Sequence, residues 1–178
     1  MQSIYRNLGP NEQPLVSDNQ YDILEDYIKE KYPKSNIIGK IGAPVEKNKI
    51  KLYLIDQGHN VIDHGAYEYD ALDDYPDFII PCAKAVADDI NSKGIILGGS
   101  GQGEAMAANR IKGIRAAVFY NGPDEIVQLS RQHNDANILS IGARFMTEKQ
   151  IYRIIEIWFE TEYQAGRHQK RIEKLDSN

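Results

Sequence analysis

The chain has 178 residues, of which 42% are hydrophobic and 26% charged, as expected for one soluble globular domain with a sizeable core. Its net charge of −5 and pI near 5.4 argue against a nucleic-acid partner, because there is no excess of basic residues to neutralise phosphates. The single cysteine, Cys82, excludes an internal disulfide, and no apolar run is long enough to cross a membrane, so we expect a cytoplasmic protein.

Helical and strand-like stretches alternate along most of the chain. Residues 1–35 are predicted to form an N-terminal arm with one helical stretch at 21–32, and residues 36–178 are predicted to form the main domain, which includes a basic C-terminal tail. Short apolar runs predict five strands, at 36–41, 60–63, 95–97, 114–119 and 136–141. Helices are predicted at 45–56, 76–90, 125–133 and 147–159, with a further alanine-rich helix ending near residue 110. Gly58 is expected to end the first of these helices, and Thr147 is expected to cap the start of the last one. This alternation predicts an α/β fold, a three-layer αβα Rossmann-like domain with a five-stranded parallel sheet.

A glycine-rich loop between a predicted strand and a predicted helix dominates the middle of the chain. The segment 94–110 reads GIILGGSGQGEAMAANR. Glycines let the backbone approach a ligand, and free N–H groups at a helix start attract anions. Glu104 stands where the helix begins and could act as a base. The alternative is a tight turn in which the glycines serve packing alone, because the loop matches neither GxxxxGK[ST] nor GxGxxG.

Ligands of parallel sheets bind outside the carboxyl ends of the strands. We therefore expect the chemistry in the loops that follow strands, at 98–104, at 63–75 and at 142–144. His59 and His64 flank a predicted strand beside Asp63, but no third ligand completes a metal pattern, so no metal is expected.

Several short motifs occur in one order along the chain. They are DDYPD at 73–77, GGSGQGE at 98–104, AANR at 107–110, GIRAA at 113–117, HNDAN at 133–137, GAR at 142–144 and GRHQKR at 166–171. Their joint presence resembles the ribose-5-phosphate isomerase B family, which includes galactose-6-phosphate isomerase subunits. The resemblance covers residues 45–175.

The resemblance implies an aldose–ketose isomerase that works through an enediolate without metal or organic cofactor, with ribose 5-phosphate to ribulose 5-phosphate as the expected reaction. One branch of the family uses a cysteine at the strand–loop junction as the base, where this chain has Gly98 and Gly99. The branch with a GGSGNGE-type loop uses a glutamate, which Glu104 matches. The backbone N–H groups of the loop, together with Ser100, would stabilise the oxyanion; the loop residues concerned are Gly99, Gly101, Gln102 and Gly103.

The same resemblance assigns roles outside the loop. His133 would open the sugar ring, since histidine exchanges protons readily at neutral pH, and Asn134 would contact sugar hydroxyls. Arg144, Arg167 and Arg171 would bind the phosphate, for which arginine offers bidentate geometry. Family members place the tail arginines in the neighbouring subunit's site, which implies a homodimer or a dimer of such dimers.

The chain departs from the family at its N-terminal strand. That strand ends in Ser/Ala-Asp-His-Ala-Gly in the family, and its Asp-His pair helps to open the sugar ring. Counting back from Gly58 places Lys40 and Ile41 at these positions. The N-terminal arm supplies a substitute, or the protein works poorly on ring-closed sugars, or it is a catalytically impaired sugar-phosphate-binding homologue or regulatory subunit. A nucleotide-binding doubly wound domain is a weaker alternative that leaves the arginines unexplained, and the choice between pentose and hexose phosphates stays open.

Overall fold

The computed structural model describes residues 47–67 and 73–177. The helices are α1 (Lys47–Asp56), α2 (Pro76–Asp88), α3 (Gln102–Ala108), α4 (Glu125–Gln132), α5 (Glu148–Glu160) and α6 (Gln169–Ile172). The strands are β1 (Gly94–Gly98), β2 (Ala116–Phe119) and β3 (Ile138–Gly142), and short 3-10 turns span Ala143–Phe145 and Gly166–His168. The elements predicted at 21–32 and 36–41 lie outside the described residues.

The described strands form a parallel sheet in the order β1-β3-β2. Gly94 pairs with Ile138 and Gly98 with Gly142, while Ala116 also pairs with Ile138. All three strands therefore start at one edge of the sheet and finish at the other. We call these the amino edge and the carboxyl edge.

Helices cover both faces of the sheet, which confirms the predicted three-layer αβα architecture. On one face α1, α4 and α5 bury Ile50, Leu54, Val127, Ile151 and Trp158 against Leu139 and Ile141 of β3. On the other face α2 and α3 bury Ile79, Ala83, Val86 and Ala108 against Ile96 and Ile138. Strand side chains alternate between the two faces, so this short sheet serves two separate cores.

Two helix boundaries follow from the predicted capping residues. Gly58 has a φ of 86°, and the N–H groups of Gly58 and His59 return to α1 carbonyls, so glycine ends α1 as predicted. Thr147 caps the start of α5, also as predicted, and the structure adds a reciprocal bond with Gln150 that completes a capping box.

The prediction of a strand at 60–63 is wrong. No described strand pairs with this segment, and its Ile62 is 72% exposed. A segment becomes a β-strand only when its backbone pairs with a neighbouring strand. The neighbour expected for 60–63 is the segment 36–41, which lies outside the described residues. Three of the five predicted strands are therefore present in the described part of the chain, with 114–119 shortened to Ala116–Phe119.

Candidate active site

The loop after β1 folds Glu104 back onto the end of the strand. Glu104 lies in the first turn of α3 and is half-buried. Its carboxylate packs against the α-carbon of Gly98, and a β-carbon at Gly98 would overlap the carboxyl group. Only a residue without a side chain can therefore occupy the end of β1 while Glu104 holds this position.

Close backbone contacts fix the same loop to the end of β3. The Arg144 N–H donates to the Gly99 carbonyl at 3.2 Å. Gly101 adopts a φ of 74°, and a β-carbon there would lie 3.0 Å from the Gly142 nitrogen. A side chain at Gly101 would therefore be strained and crowded, which explains why this turn needs glycine.

Two polar side chains from other parts of the chain pack against the glycine-rich loop. The Arg144 guanidinium approaches Gly99 so closely that a β-carbon there would lie 3.1 Å from Nη2. A β-carbon on Gly103 would likewise lie 3.0 Å from the Tyr75 hydroxyl oxygen. The structure thus brings Glu104, Ser100, the loop glycines and Arg144 together at the carboxyl edge, and it adds Tyr75. Tyr75 belongs to the DDYPD motif at 73–77, to which the sequence assigned no individual role.

Large apolar side chains remain exposed around this edge. Tyr120 and Phe145 stack edge to face with ring centroids 5.9 Å apart, yet they are 45% and 54% exposed. Tyr75 is 48% exposed, and Met106 on α3 is 64% exposed. An apolar rim of this kind is typical of a surface that another molecule covers.

The segment between Asp63 and Tyr67 has a structural anchor. Lys47 donates to the Asp63 carboxylate at 2.6 Å and to the Ala66 carbonyl at 2.9 Å, and Lys51 lies 3.4 Å from the same carboxylate. Burial opposes ionisation of Asp63, but the hydrogen bonds from Lys47 and the Gly65 N–H hold its pKa below the usual value. Asp63 therefore serves as a charged anchor for the end of this loop.

The HNDAN motif lies at the amino edge of the sheet. The Asn137 side chain accepts from the Arg115 N–H and donates to the Gly113 carbonyl, each at 2.8 Å, and its own carbonyl accepts from Gly94. Asn137 thereby joins the starts of β1, β2 and β3. Its role is structural.

Two arginines hold the turn between α4 and β3. Asp135 has a φ of 42° and lies 2.8 Å from both Arg115 Nη2 and Arg131 Nη1. Arg115 Nε also donates to the carbonyls of Asn134 and Asp135. Arg131 is buried, donates to the Ala136 carbonyl and lies over the Trp158 ring. This network fixes the backbone that carries His133 and exposed Asn134.

His133 stacks on a histidine of the C-terminal tail. The rings of His133 and His168 lie parallel with centroids 4.3 Å apart. Burial, the neighbouring His133 and the charges of Arg167 and Arg171 hold the pKa of His168 below its usual value. Asp176 accepts from the Gly113 N–H, which ties the tail to the amino edge. Sequence reasoning missed His168, although it lies inside the GRHQKR motif.

The predicted site residues therefore fall into two groups in one chain. Glu104, Ser100, Gly99, Gly101, Gln102, Gly103 and Arg144 lie at the carboxyl edge, whereas His133, Asn134, Arg167 and Arg171 lie at the amino edge. The five residues of β3 between the edges span roughly 13 Å at the usual rise per residue. The two groups are too far apart to meet on the reacting carbons of one small substrate.

Among the described residues there is no cluster of three or more metal-ligating side chains. In the same part of the chain, no helix has both the length and the apolar character that a membrane span needs.

The family profile and the sequence relatives that match this chain point to the same family. A sequence profile of the family described as "Ribose/Galactose Isomerase" matches residues 40–175. The chain is 43% identical to ribose-5-phosphate isomerase B of Mycolicibacterium paratuberculosis over 130 residues, covering 72% of this chain and 80% of the relative. It is 38% identical to the Escherichia coli protein of the same name over 129 residues, covering 72% and 85%.

Solved structures agree with the sequence relatives. Ribose-5-phosphate isomerase B from Clostridium thermocellum superposes with a TM-score of 0.69 and 39% identity, covering 73% of this chain and 86% of that one. The Mycoplasma genitalium protein with bound ribulose-5-phosphate gives a TM-score of 0.69 and 37% identity, covering 72% and 84%. These matches confirm the resemblance drawn from the motifs, and the chain belongs to the ribose/galactose isomerase family.

Proposed function

We propose that this protein interconverts ribose 5-phosphate and ribulose 5-phosphate, with Glu104 as the base. The observation that carries the proposal is the Glu104 carboxylate held against Gly98 at the carboxyl edge, beside the glycine loop and Arg144. The names of the relatives, one of them solved with ribulose-5-phosphate, support the choice of substrate.

The proposed chemistry needs one carboxylate and a set of hydrogen-bond donors. Glu104 removes the proton from C2 of the open-chain aldose, which leaves a planar enediolate, and returns it to C1 on the same face. The proton of the C2 hydroxyl moves to O1 in the enediolate, so that C2 becomes the carbonyl of the ketose. Backbone N–H groups of the loop, with the Ser100 hydroxyl, stabilise the oxygen on which negative charge develops. Arg144 binds the phosphate through its guanidinium.

We propose that a second copy of the chain completes each site. His133, Asn134, Arg167 and Arg171 cannot reach the Glu104 of their own chain, because they lie at the opposite edge of the sheet. A homodimer that places the amino edge of one copy against the carboxyl edge of the other would join both groups. The exposed apolar rim of Tyr75, Met106, Tyr120 and Phe145 supports such an interface.

A second candidate function is sugar-phosphate binding without turnover. Lys40 and Ile41 stand where the family has its Asp-His pair, so ring opening lacks one of its usual acid–base groups. His133 and Glu104 favour the enzyme over this alternative.

The test is isomerisation of ribose 5-phosphate by the full chain, by Glu104→Gln and by Glu160→Gln, an exposed glutamate at the end of α5. We expect turnover in the wild type and the Glu160 variant, with a loss of about a thousandfold in kcat for Glu104→Gln. Equal activity in all three would exclude Glu104 as the base.

No turnover, with ribose 5-phosphate binding that Arg144→Ala weakens, would support the binding protein. A six-carbon aldose 6-phosphate assayed in parallel decides between pentose and hexose substrates.

A further inference from the structure

The side chain of Ser140 places a hydroxyl in the apolar core beside β3, next to the glycine-rich loop. β3 reads ILSIG, and Ser140 at its centre is completely buried. Burying a hydroxyl is unfavourable unless it finds a hydrogen-bond partner. Ser140 Oγ donates to the Gly101 carbonyl at 2.6 Å, so the central strand is bonded to the turn that precedes α3.

This bond fixes one peptide plane of the loop. The Gly101 carbonyl accepts from Ser140 Oγ and, at 3.1 Å, from the Ala105 N–H. In a trans peptide the C=O and the following N–H point in opposite directions. The Gln102 N–H therefore points away from β3, where its contact to Ser100 Oγ is long, at 3.4 Å. A donor in such a weak bond is available to a ligand oxygen.

We propose that Ser140 is a positioning residue for the isomerase reaction. It holds the Gly101–Gln102 peptide so that the Gln102 N–H is aimed, before substrate arrives, at the oxygen that becomes negative in the enediolate. Hydrogen bonds in series polarise one another, so the bond at Gly101 also strengthens the Gln102 donor. Preorganised donors of this kind act mainly in the transition state. The inference rests on the proposed function.

The chain offers a matched control for Ser140→Ala. Ser130 in α4 is also a buried serine, and its hydroxyl donates to the Val127 carbonyl at 2.7 Å. Ser130→Ala and Ser140→Ala each remove one buried hydroxyl bond to a carbonyl, so both should lower the unfolding midpoint to a similar extent. In Ser140→Ala the Gly101 carbonyl keeps its bond from Ala105, so the loop remains folded.

We expect Ser140→Ala to lower kcat about tenfold, with KM changed less than about twofold, and Ser130→Ala to change neither. Ser140→Cys, whose thiol is a weaker donor, should fall between the wild type and Ser140→Ala. Calorimetry gives a second readout, with a phosphorylated sugar hydroxamate as a planar mimic of the enediolate. The Ser140→Ala variant should bind this mimic about tenfold more weakly than the wild type does. The affinity of the variant for inorganic phosphate should equal that of the wild type.

Equal kcat and equal affinity for the mimic in the two alanine variants would overturn the inference. If the wild type binds the mimic but does not isomerise ribose 5-phosphate, the proposed function fails. The role of Ser140 is then decided by the affinity for the mimic alone, which should be weaker in Ser140→Ala than in Ser130→Ala. A wild-type chain that neither isomerises ribose 5-phosphate nor binds the mimic would overturn both proposals.

Discussion

The carboxylate of Glu104 occupies the space that a side chain on Gly98 would fill. The two residues are six positions apart, and the turn through Gly101 brings them into contact at the carboxyl edge of the sheet. Glycine at the end of β1 thereby creates the position for the proposed base.

Replacing Gly98 should displace that base without unfolding the protein. In Gly98→Ala the β-carbon would overlap the Glu104 carboxyl group, which must then rotate away. We expect kcat to fall by about a hundredfold or more, because a base displaced by about 1 Å no longer meets the substrate proton. Steady-state kinetics measure the effect. Gly58→Ala, at a position with open space and a φ of 86°, should lose some stability but keep its activity. Normal turnover in Gly98→Ala would contradict this arrangement.

The proposed phosphate-binding role of Arg144 predicts a defect that depends on the substrate. Arg144→Ala should raise KM for ribose 5-phosphate about tenfold or more, since an arginine–phosphate pair is a strong charge-assisted contact. Turnover of unphosphorylated ribose, however slow, should not change. Arg153→Ala provides the control, because Arg153 is an exposed arginine paired with Asp124 on another part of the surface. An equal defect on both sugars would show that Arg144 supports the loop instead of the phosphate.

Asp135 should be important for stability. Its carboxylate neutralises Arg115 and the buried Arg131, and removing it leaves a buried positive charge without its partner. We expect Asp135→Ala to lower the free energy of unfolding by about 3 kcal/mol. Asp135→Asn should cost less, since asparagine tolerates the positive φ and keeps a hydrogen-bonding oxygen. Urea denaturation measures both variants, and equal losses would argue against the charge network.

Stability should fall on mild acidification because of His168. The folded protein holds the pKa of His168 below its usual 6.5, so the unfolded chain takes up a proton first as the pH falls. The unfolded state is thereby favoured below about pH 6.5, and the loss stops growing below the folded pKa. We expect the stability difference between the wild type and His168→Gln to shrink from pH 7.5 to pH 5.5 in urea denaturation. A difference that grows on acidification would reverse the sign assigned to this histidine.

Local sequence signals predicted much of the fold. Thr147 and Gly58 mark helix ends because capping depends on a few adjacent residues. The apolar run before the glycine loop predicts β1 because a fully buried strand needs apolar side chains on both faces. By contrast, the strand predicted at 60–63 depends on a neighbour that its own residues do not specify.

Only the part of the candidate site that is continuous in sequence could be predicted from local motifs. Glu104 and the loop glycines are adjacent in sequence, so one motif predicts them together. Within the HNDAN motif, Asn137 and Asp135 stabilise the start of β3, whereas His133 and Asn134 are the members with a proposed substrate role. Neither the bond from Ser140 to Gly101 nor the separation of His133 from Glu104 could be predicted, because both depend on how distant strands align.

Subunit complementation tests the proposed shared site most directly. Glu104→Gln would inactivate one half of a site, and a His133→Asn, Arg167→Ala, Arg171→Ala triple variant would inactivate the other half. We would co-express the two chains with different affinity tags and isolate the mixed dimer by two successive purifications. One of its two sites then combines an intact Glu104 with an intact His133 group, so the mixed dimer should recover about half of the wild-type kcat while each parent dimer stays inactive. A mixed dimer as inactive as its parents would contradict a site shared between two copies with Glu104 as its base.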